Sequence, residues 1–164
     1  MKAKVFFAIS LLILAFNSCT KVPITNRRQV NLLPESELMA MSLKEYNKFL
    51  ASHTLTPAND TSTLMVKRVG VNISNAIVAY LRAHKQAKRV AGYNWQFNLV
   101  QDKTVNAWCM PGGKVVVYTG LLPMTKNENG LAVVMGHEIA HAIARHGNER
   151  MSQQLAIQLG GMGL

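Results

Sequence analysis

Three side chains with the chemistry of a metal site occur close together near residue 140. The segment GHEIAH at residues 136–141 places His137, Glu138 and His141 in an otherwise apolar run. On an α-helix, residues four positions apart lie one turn apart on the same face, so both imidazoles can reach one ion at about 2.0–2.1 Å. Glu138 is rotated by about 100° from His137 and stands beside the pair. The H-E-x-x-H pattern therefore predicts one zinc ion per chain, bound by the two histidines, with Glu138 as general base.

Such a site predicts hydrolysis of peptide bonds. Zinc acidifies water and polarises a carbonyl, while the carboxylate takes a proton from the water and passes it to the leaving amine. The alternative is that the three residues are core side chains that match the pattern by chance. However, the helix is apolar nearly all round, which predicts burial, and burial of an unpartnered carboxylate costs several kcal/mol. The pattern therefore favours a zinc metallopeptidase with polypeptide substrates. His146 points away from His137 and is expected to be structural.

Helices and short strands alternate around this segment. Apolar spacing and capping residues predict four helices. The first covers 34–52, and the second runs from Thr61 to about Lys88 with Asp60 or Ser62 as its N-cap. The third begins after Asn127 and carries the motif, and the fourth covers about 148–159. Alternating or β-branched runs predict strands over 93–100, 105–110 and 114–120, the first with Tyr93, Trp95, Phe97 and Leu99 on one face. These elements predict an α+β fold in which a small β-sheet packs with several helices.

Two tracts of the chain resemble one known family. The tract VVMGHEIAHAIARHGNERMSQQ at 133–154 resembles the active-site helix of metallopeptidase family M48, the gluzincins that include the CAAX prenyl proteases and the HtpX-type proteases. The tract NAWCMPGGKVVVYTGLL at 106–122 resembles the segment that precedes this helix in the same family. The resemblance implies a zincin-like metallopeptidase domain with His137 and His141 as zinc ligands and Glu138 as general base.

The resemblance also has implications for substrate binding and for the ligand set. It implies that the strand at residues 114–118 is the sheet edge that receives an extended peptide. The residues of this strand are Lys114, Val115, Val116, Val117 and Tyr118. The alternative is that it is a plain core strand. In this family the third zinc ligand is a glutamate well downstream of the histidine pair. We therefore expect this ligand beyond residue 164, and we expect the chain to be the N-terminal portion of a longer protease domain.

The N-terminus has the pattern of a targeting segment. Lys2 and Lys4 precede an apolar run from Val5 to Phe16, which predicts a signal peptide over residues 1–18 and is too short to span a bilayer. Cys19 follows a small residue and resembles the lipid-modified cysteine of bacterial lipoproteins. The resemblance implies an exported protein facing the periplasm, anchored through Cys19, with residues 19–33 as a tether and 34–164 as the domain. An ordinary signal peptide is the alternative, and it would allow a Cys19–Cys109 disulfide.

Composition narrows the remaining classes of function. The chain has 164 residues, 49% of them hydrophobic, which predicts one globular domain. Its formal charge is +10, but the cations are scattered and no nucleic-acid-binding motif accompanies them, so we expect no nucleic-acid partner. The leading hypothesis is an endopeptidase that acts on unfolded or misassembled cell-envelope proteins. The alternative is a noncatalytic, chaperone-like module that binds peptides through the same sheet edge.

Overall fold

The computed structural model describes residues 19–23, 25 and 27–161, without the side chains of residues 19, 20 and 161. The predicted signal peptide lies outside this part, as does the Cys19 side chain. In chain order the elements are β1 Cys19–Lys21, β2 Arg28–Val30, α1 Glu35–Ser52, α2 Thr61–Ala83, a 3-10 turn Ala87–Val90, β3 Gln96–Val100, β4 Ala107–Met110, β5 Lys114–Tyr118, a 3-10 turn Thr119–Leu121, α3 Leu122–Thr125, α4 Glu128–Ile143 and α5 His146–Gly161. The α+β class predicted from the sequence is confirmed.

The chain divides into two compact units rather than the single domain expected. The larger unit is Glu35–Ala144, and the described parts of Met1–Pro34 and Arg145–Leu164 form the smaller one. The first division lies between Pro34 and Glu35, where α1 begins. The second follows the predicted metal-site helix α4, which ends where Arg145 adopts a left-handed conformation with φ 61°.

The larger unit is built on a three-stranded sheet in the order β3-β5-β4. Strand β5 pairs in parallel with β3 and antiparallel with β4. The prediction that Lys114–Tyr118 forms a sheet edge is therefore wrong, because this strand is central and all of its residues are buried. The physical reason is that β5 pairs on both of its edges, while its run of three valines explains only why both of its faces are buried.

Each face of this sheet carries its own hydrophobic cluster. On one face, Phe97, Leu99, Val115 and Val117 pack with residues from α2 and α4. On the other face, the alternate sheet residues Val100, Val116 and Tyr118 pack with Tyr46 of α1. Tyr93 and Trp95 precede β3 and pack against the first cluster, as the alternation in the sequence predicts. The sheet is therefore the layer that fixes α4 in position.

Helix α2 begins as predicted and ends earlier than predicted. The carboxylate of Asp60 caps it, accepting hydrogen bonds from the backbone N–H of Ser62 at 2.9 Å and Thr63 at 3.0 Å. The helix ends at Ala83 rather than near Lys88, because Lys85 adopts φ 58° and turns the chain. No glycine marks this left-handed position, which is why the sequence pattern did not show the break.

The smaller unit corrects the prediction that residues 19–33 form a simple extended tether. Strands β1 and β2 pair antiparallel and form a two-stranded ribbon. The backbone just after this ribbon is bound to α5 by polar side chains. The Asn148 amide donates to the carbonyl of Leu33 at 2.8 Å, and the backbone N–H of Leu32 donates to Ser152 Oγ at 2.8 Å. Asn148 and Ser152 are both buried. Strands of three residues are too short to be recognised from their sequence.

Within the described residues, none of the helices has the length and apolar character needed to cross a bilayer.

Candidate metal centre

Helix α4 begins with the cap that its sequence predicts. Asn127 Oδ1 accepts a hydrogen bond from the backbone N–H of Gly130 at 3.0 Å. Glu128 lies in the first turn, where its charge is favourable to the helix dipole, and it forms an ion pair with Arg68 of α2. This pairing holds the pKa of the Glu128 carboxyl below its usual value. The start of α4 is thereby fixed to the neighbouring helix.

One side of α4 is apolar and completely enclosed. Leu131, Met135 and Ile139 recur every four residues and have no exposed surface. They pack in the cluster that covers the sheet, so they set the rotation of α4 about its axis. This rotation decides which side chains of the motif face outward.

The two histidines of the motif lie on the opposite, open side. His137 and His141 are exposed, as is Val133, which has 73% of its surface exposed one turn earlier. The expectation that apolar neighbours bury α4 on all sides is therefore wrong. The helix packs through one side, where Ile143 joins the enclosed residues and Ala132 and Val134 are partly buried against the same cluster, while Val133 stays exposed. The open side makes the imidazole nitrogens accessible to an ion from solvent.

The geometry of the histidine pair fits a metal ion. Nε2 of His137 and Nε2 of His141 are 3.0 Å apart, and the ring planes meet at 77° with centroids 4.5 Å apart. Two nitrogens bound to one tetrahedral zinc ion at about 2.0–2.1 Å stand about 3.3 Å apart. The observed separation is close to this value without any change of backbone. Within the described residues, no group of three or more His, Cys, Asp or Glu side chains is arranged to hold a metal.

Glu138 follows the first histidine on α4, the helix that packs against β4. It is half-buried, and its negative charge reaches Cys109 of β4. Burial, with a smaller contribution from Glu138, raises the pKa of the Cys109 thiol to about 12. Cys109 is a free thiol whose Sγ lies 3.6 Å from the carbonyl oxygen of Met110. The carboxylate is therefore near enough to β4 to act electrostatically on Cys109.

Strand β4 has the unpaired edge that the sequence assigned to β5. The backbone N–H of Tyr118 donates to the carbonyl of Asn106 at 3.1 Å, and Ala107 stands opposite Val117. Because hydrogen-bonded and non-bonded pairs alternate along an antiparallel ladder, the N–H and C=O groups of Ala107 and Cys109 point away from β5. No other strand among the described residues pairs with β4 there. Sequence reasoning missed this edge because strand order is a long-range property.

The other edge of the sheet is partly closed. The segment before α2 lies along β3, where Leu55 bridges Val100 and the backbone N–H of Thr56 donates to the carbonyl of Leu99 at 3.0 Å. The backbone N–H of Gln101 donates to the carbonyl of Thr54 at 2.8 Å. Of the two edges of this sheet, β4 is therefore the one that can accept a further strand.

The fold and the motif together define a zincin-like chain, an α+β domain with an H-E-x-x-H helix beside a small sheet. Residues 71–163 match the family described as Peptidase family M48. The chain belongs to this family.

Curated relatives carry similar sequences. The mitochondrial metalloendopeptidase OMA1 of Schizosaccharomyces pombe is 33% identical over 144 residues, which cover 87% of this chain and 40% of the relative. The enzyme of the same name from Arabidopsis thaliana is 42% identical over 74 residues, covering 45% of this chain and 15% of the relative. The putative beta-barrel assembly-enhancing protease of Vibrio cholerae is 40% identical over 58 residues, covering 35% of this chain and 12% of the relative. The chain thus spans less than half the length of each.

Proposed function

We propose that this chain provides the ligand pair, the general base and the substrate-binding edge of a zinc metalloendopeptidase. The observation that carries the proposal is the 3.0 Å separation of the His137 and His141 Nε2 atoms on the open side of α4. Membership of a peptidase family and relatives named metalloendopeptidases support it. When bound, zinc would supply a Lewis acid for the peptide carbonyl. A further ligand is expected from outside the described residues, because catalytic zinc normally has three protein ligands.

The polypeptide substrate would bind along β4. An extended peptide can pair with the outward N–H and C=O groups of Ala107 and Cys109, which gives affinity without demanding a particular sequence. The charge of Glu138 acts on Cys109 of this strand, and its carboxylate would take a proton from water and return it to the leaving amine. Edge pairing requires an extended, unpaired stretch of chain, so unfolded polypeptides are the substrate class.

The cellular setting is proposed from the N-terminal sequence and the names of the relatives. We infer that the protein is exported and that Cys19 carries a lipid anchor. A relative named as a beta-barrel assembly-enhancing protease supports an envelope setting with misassembled envelope proteins as substrates. Mass spectrometry of the protein purified from membranes should find the N-terminal cysteine carrying lipid. An unmodified residue 19 would leave the catalytic proposal intact and remove the anchor.

The catalytic proposal is tested by Glu138→Gln in the full-length protein. The glutamine keeps the shape of the side chain and cannot accept the proton, so casein cleavage is expected to fall by about 10²–10⁴-fold. The zinc content, measured by mass spectrometry of the metal, should stay unchanged because Glu138 is not a ligand. Undiminished cleavage by this variant would refute its role as general base.

A noncatalytic peptide-binding module is the second candidate. This candidate is supported by the incomplete ligand set. Among the described residues, only the two histidines are arranged as ligands, and no third ligand joins them. The two candidates differ in one measurement. If the zinc-saturated full-length protein binds unfolded casein but leaves it uncut, the binding module is favoured and the peptidase proposal fails.

A further inference from the structure

A group of exposed cations occurs where α2 ends. We call Arg82, Lys85 and Lys88 the cationic tip; all three are exposed, and the ion pairs Arg27–Glu149 and Arg68–Glu128 do not involve them. The sequence between Thr61 and Gln101 contains no Asp or Glu. The positive charge of the tip is therefore not balanced by carboxylates in its own stretch of chain.

The backbone of the tip is held in a helix-ending motif that usually contains glycine. The backbone N–H of Gln86 donates to the carbonyl of Leu81 at 2.7 Å, and that of Lys85 donates to Arg82 at 3.1 Å. Together these bonds form a Schellman motif, in which Lys85 takes the left-handed position with φ 58°. Glycine adopts this conformation without a steric penalty, whereas a side chain with Cβ is disfavoured there. The turn would form more easily with glycine at position 85, so the lysine side chain there is not needed for the turn.

The tip is also connected to the end of the metal-site helix. Arg89 lies in the 3-10 turn that follows, and its Nη1 donates to the carbonyl of Ile143 in the last turn of α4 at 3.5 Å. A cation at the C-terminal end of a helix is favourable to the helix dipole. Arg89 is therefore part of the fold and is not counted in the tip. It joins the turn that carries Lys88 to the helix that carries His137 and His141.

An amphipathic aromatic side chain stands beside these cations. Tyr80 is 40% exposed and stacks on His84 with ring centroids 4.0 Å apart and planes at 25°. Tyrosine with lysine and arginine at an exposed helix end is the combination found where proteins meet the headgroup region of a bilayer. A nucleic-acid site would instead need cations spread along a groove or stripe, with aromatic groups free to stack on bases.

We propose that the cationic tip docks on an anionic lipid surface through the phosphate-bearing headgroups. Each cation near such a surface strengthens binding about fivefold, and the effect weakens with added salt. Docking through the tip would hold the C-terminal end of α4 close to the membrane, because Arg89 connects the two. A basic surface and an acyl chain act together as anchoring signals, so the tip would complement a lipid on Cys19. The proposal does not depend on zinc or on catalysis.

Co-sedimentation of the full chain with lipid vesicles tests the proposal. Vesicles of phosphatidylcholine alone are compared with vesicles of phosphatidylcholine and phosphatidylglycerol in equal parts. The apolar N-terminal segment can contribute to binding on both, so the ratio of the two affinities isolates the effect of charge. The unaltered chain is expected to prefer the anionic vesicles at least about tenfold at low salt.

Two neutralised variants separate the tip from the net charge. The triple variant Arg82→Gln, Lys85→Gly, Lys88→Gln keeps the turn, because glycine suits the left-handed position, and is expected to lose most of the preference. Its matched control, Lys44→Gln, Lys48→Gln, Lys103→Gln, removes the same number of exposed charges elsewhere and should keep it. Equal losses in both variants would overturn the proposal. So would a tip variant that binds vesicles normally but loses affinity for duplex DNA.

Discussion

Nε2 of His141 lies 3.0 Å from Nε2 of His137 across one turn of α4, on the side opposite the enclosed Met135 and Ile139. The core contacts of the helix therefore determine where its ligands point. Any change that rotates α4 would move both imidazoles together, whereas a change on the open side would leave the core intact. This separation makes the ligand pair testable by substitution without loss of the fold.

Removal of either imidazole should weaken zinc binding. Loss of an outer-shell partner alone lowers metal affinity by about 10–100-fold, so His137→Ala or His141→Ala is expected to cost at least about tenfold. Competition of the full chain with a chromophoric chelator measures the affinity. His53→Ala is the control, because His53 stacks on Phe49 with its Nδ1 2.8 Å from the Phe49 carbonyl oxygen. Equal affinities of the His137 and His53 variants would contradict the assigned ligands.

Two helical glycines should respond in opposite directions to alanine. A Cβ at Gly70 of α2 would collide with the ring of Phe97 in β3, so Gly70→Ala is expected to destabilise the fold by about 1–3 kcal/mol. At Gly136, just before the first ligand, a Cβ would meet nothing within 4 Å. Gly136→Ala should therefore stabilise by about 1 kcal/mol through helix propensity. Urea unfolding measures both; destabilisation by Gly136→Ala would show a close approach at that residue.

The Cys109 thiol should react slowly in the folded chain. Its pKa is raised to about 12 by burial, assisted by the charge of Glu138, so almost no thiolate is present at neutral pH. In the Cys19→Ser chain, iodoacetamide is expected to label Cys109 much more slowly in buffer than in denaturing urea. Because the unfolded thiol titrates near 9, stability should also fall as the pH rises from 9 towards 12. Rapid labelling of the folded chain would contradict the burial of this thiol.

Local features of the fold follow from the sequence because local contacts determine them. Asp60 and Asn127 act as predicted N-caps, since a cap needs only the first turn of its own helix. The spacing of the two histidines predicts their separation for the same reason. A helix end is harder to predict from the sequence when the left-handed residue that ends it is not glycine. Helix α2 is such a case, because Lys85 adopts the left-handed conformation at its end.

Properties that depend on distant parts of the chain were not predicted. The central place of β5 depends on pairing with β3 and β4, and the run of valines fits an edge or a central strand until its neighbours are known. The open side of α4 depends on which elements cover it, so its apolar composition predicted too much burial. The β1–β2 ribbon depends on contacts with α5, more than a hundred positions later in the sequence.

The ion pair between Arg27, the residue before β2, and Glu149 of α5 should stabilise the smaller unit only where Glu149 is charged. Arg27 Nη1 and Nη2 each donate to one Glu149 oxygen at 2.6 Å, and this pairing holds the pKa of Glu149 below its ordinary value of 4.5. A carboxyl group with a lowered folded pKa contributes stability above its unfolded pKa and loses it as the pH falls through the folded one. Arg27→Ala should therefore speed amide exchange at Leu32, whose N–H donates to Ser152 Oγ, at neutral pH.

The difference between Arg27→Ala and the unaltered chain should shrink as the pH falls below 4.5 and Glu149 takes up its proton. Arg28→Ala is the matched control, because it removes the same charge one position later and leaves the paired guanidinium in place. Its exchange at Leu32 should follow the unaltered chain at every pH. If the effect of Arg27→Ala were the same in acid as at neutral pH, packing by the arginine side chain, and not its charge, would account for the stability of the ribbon.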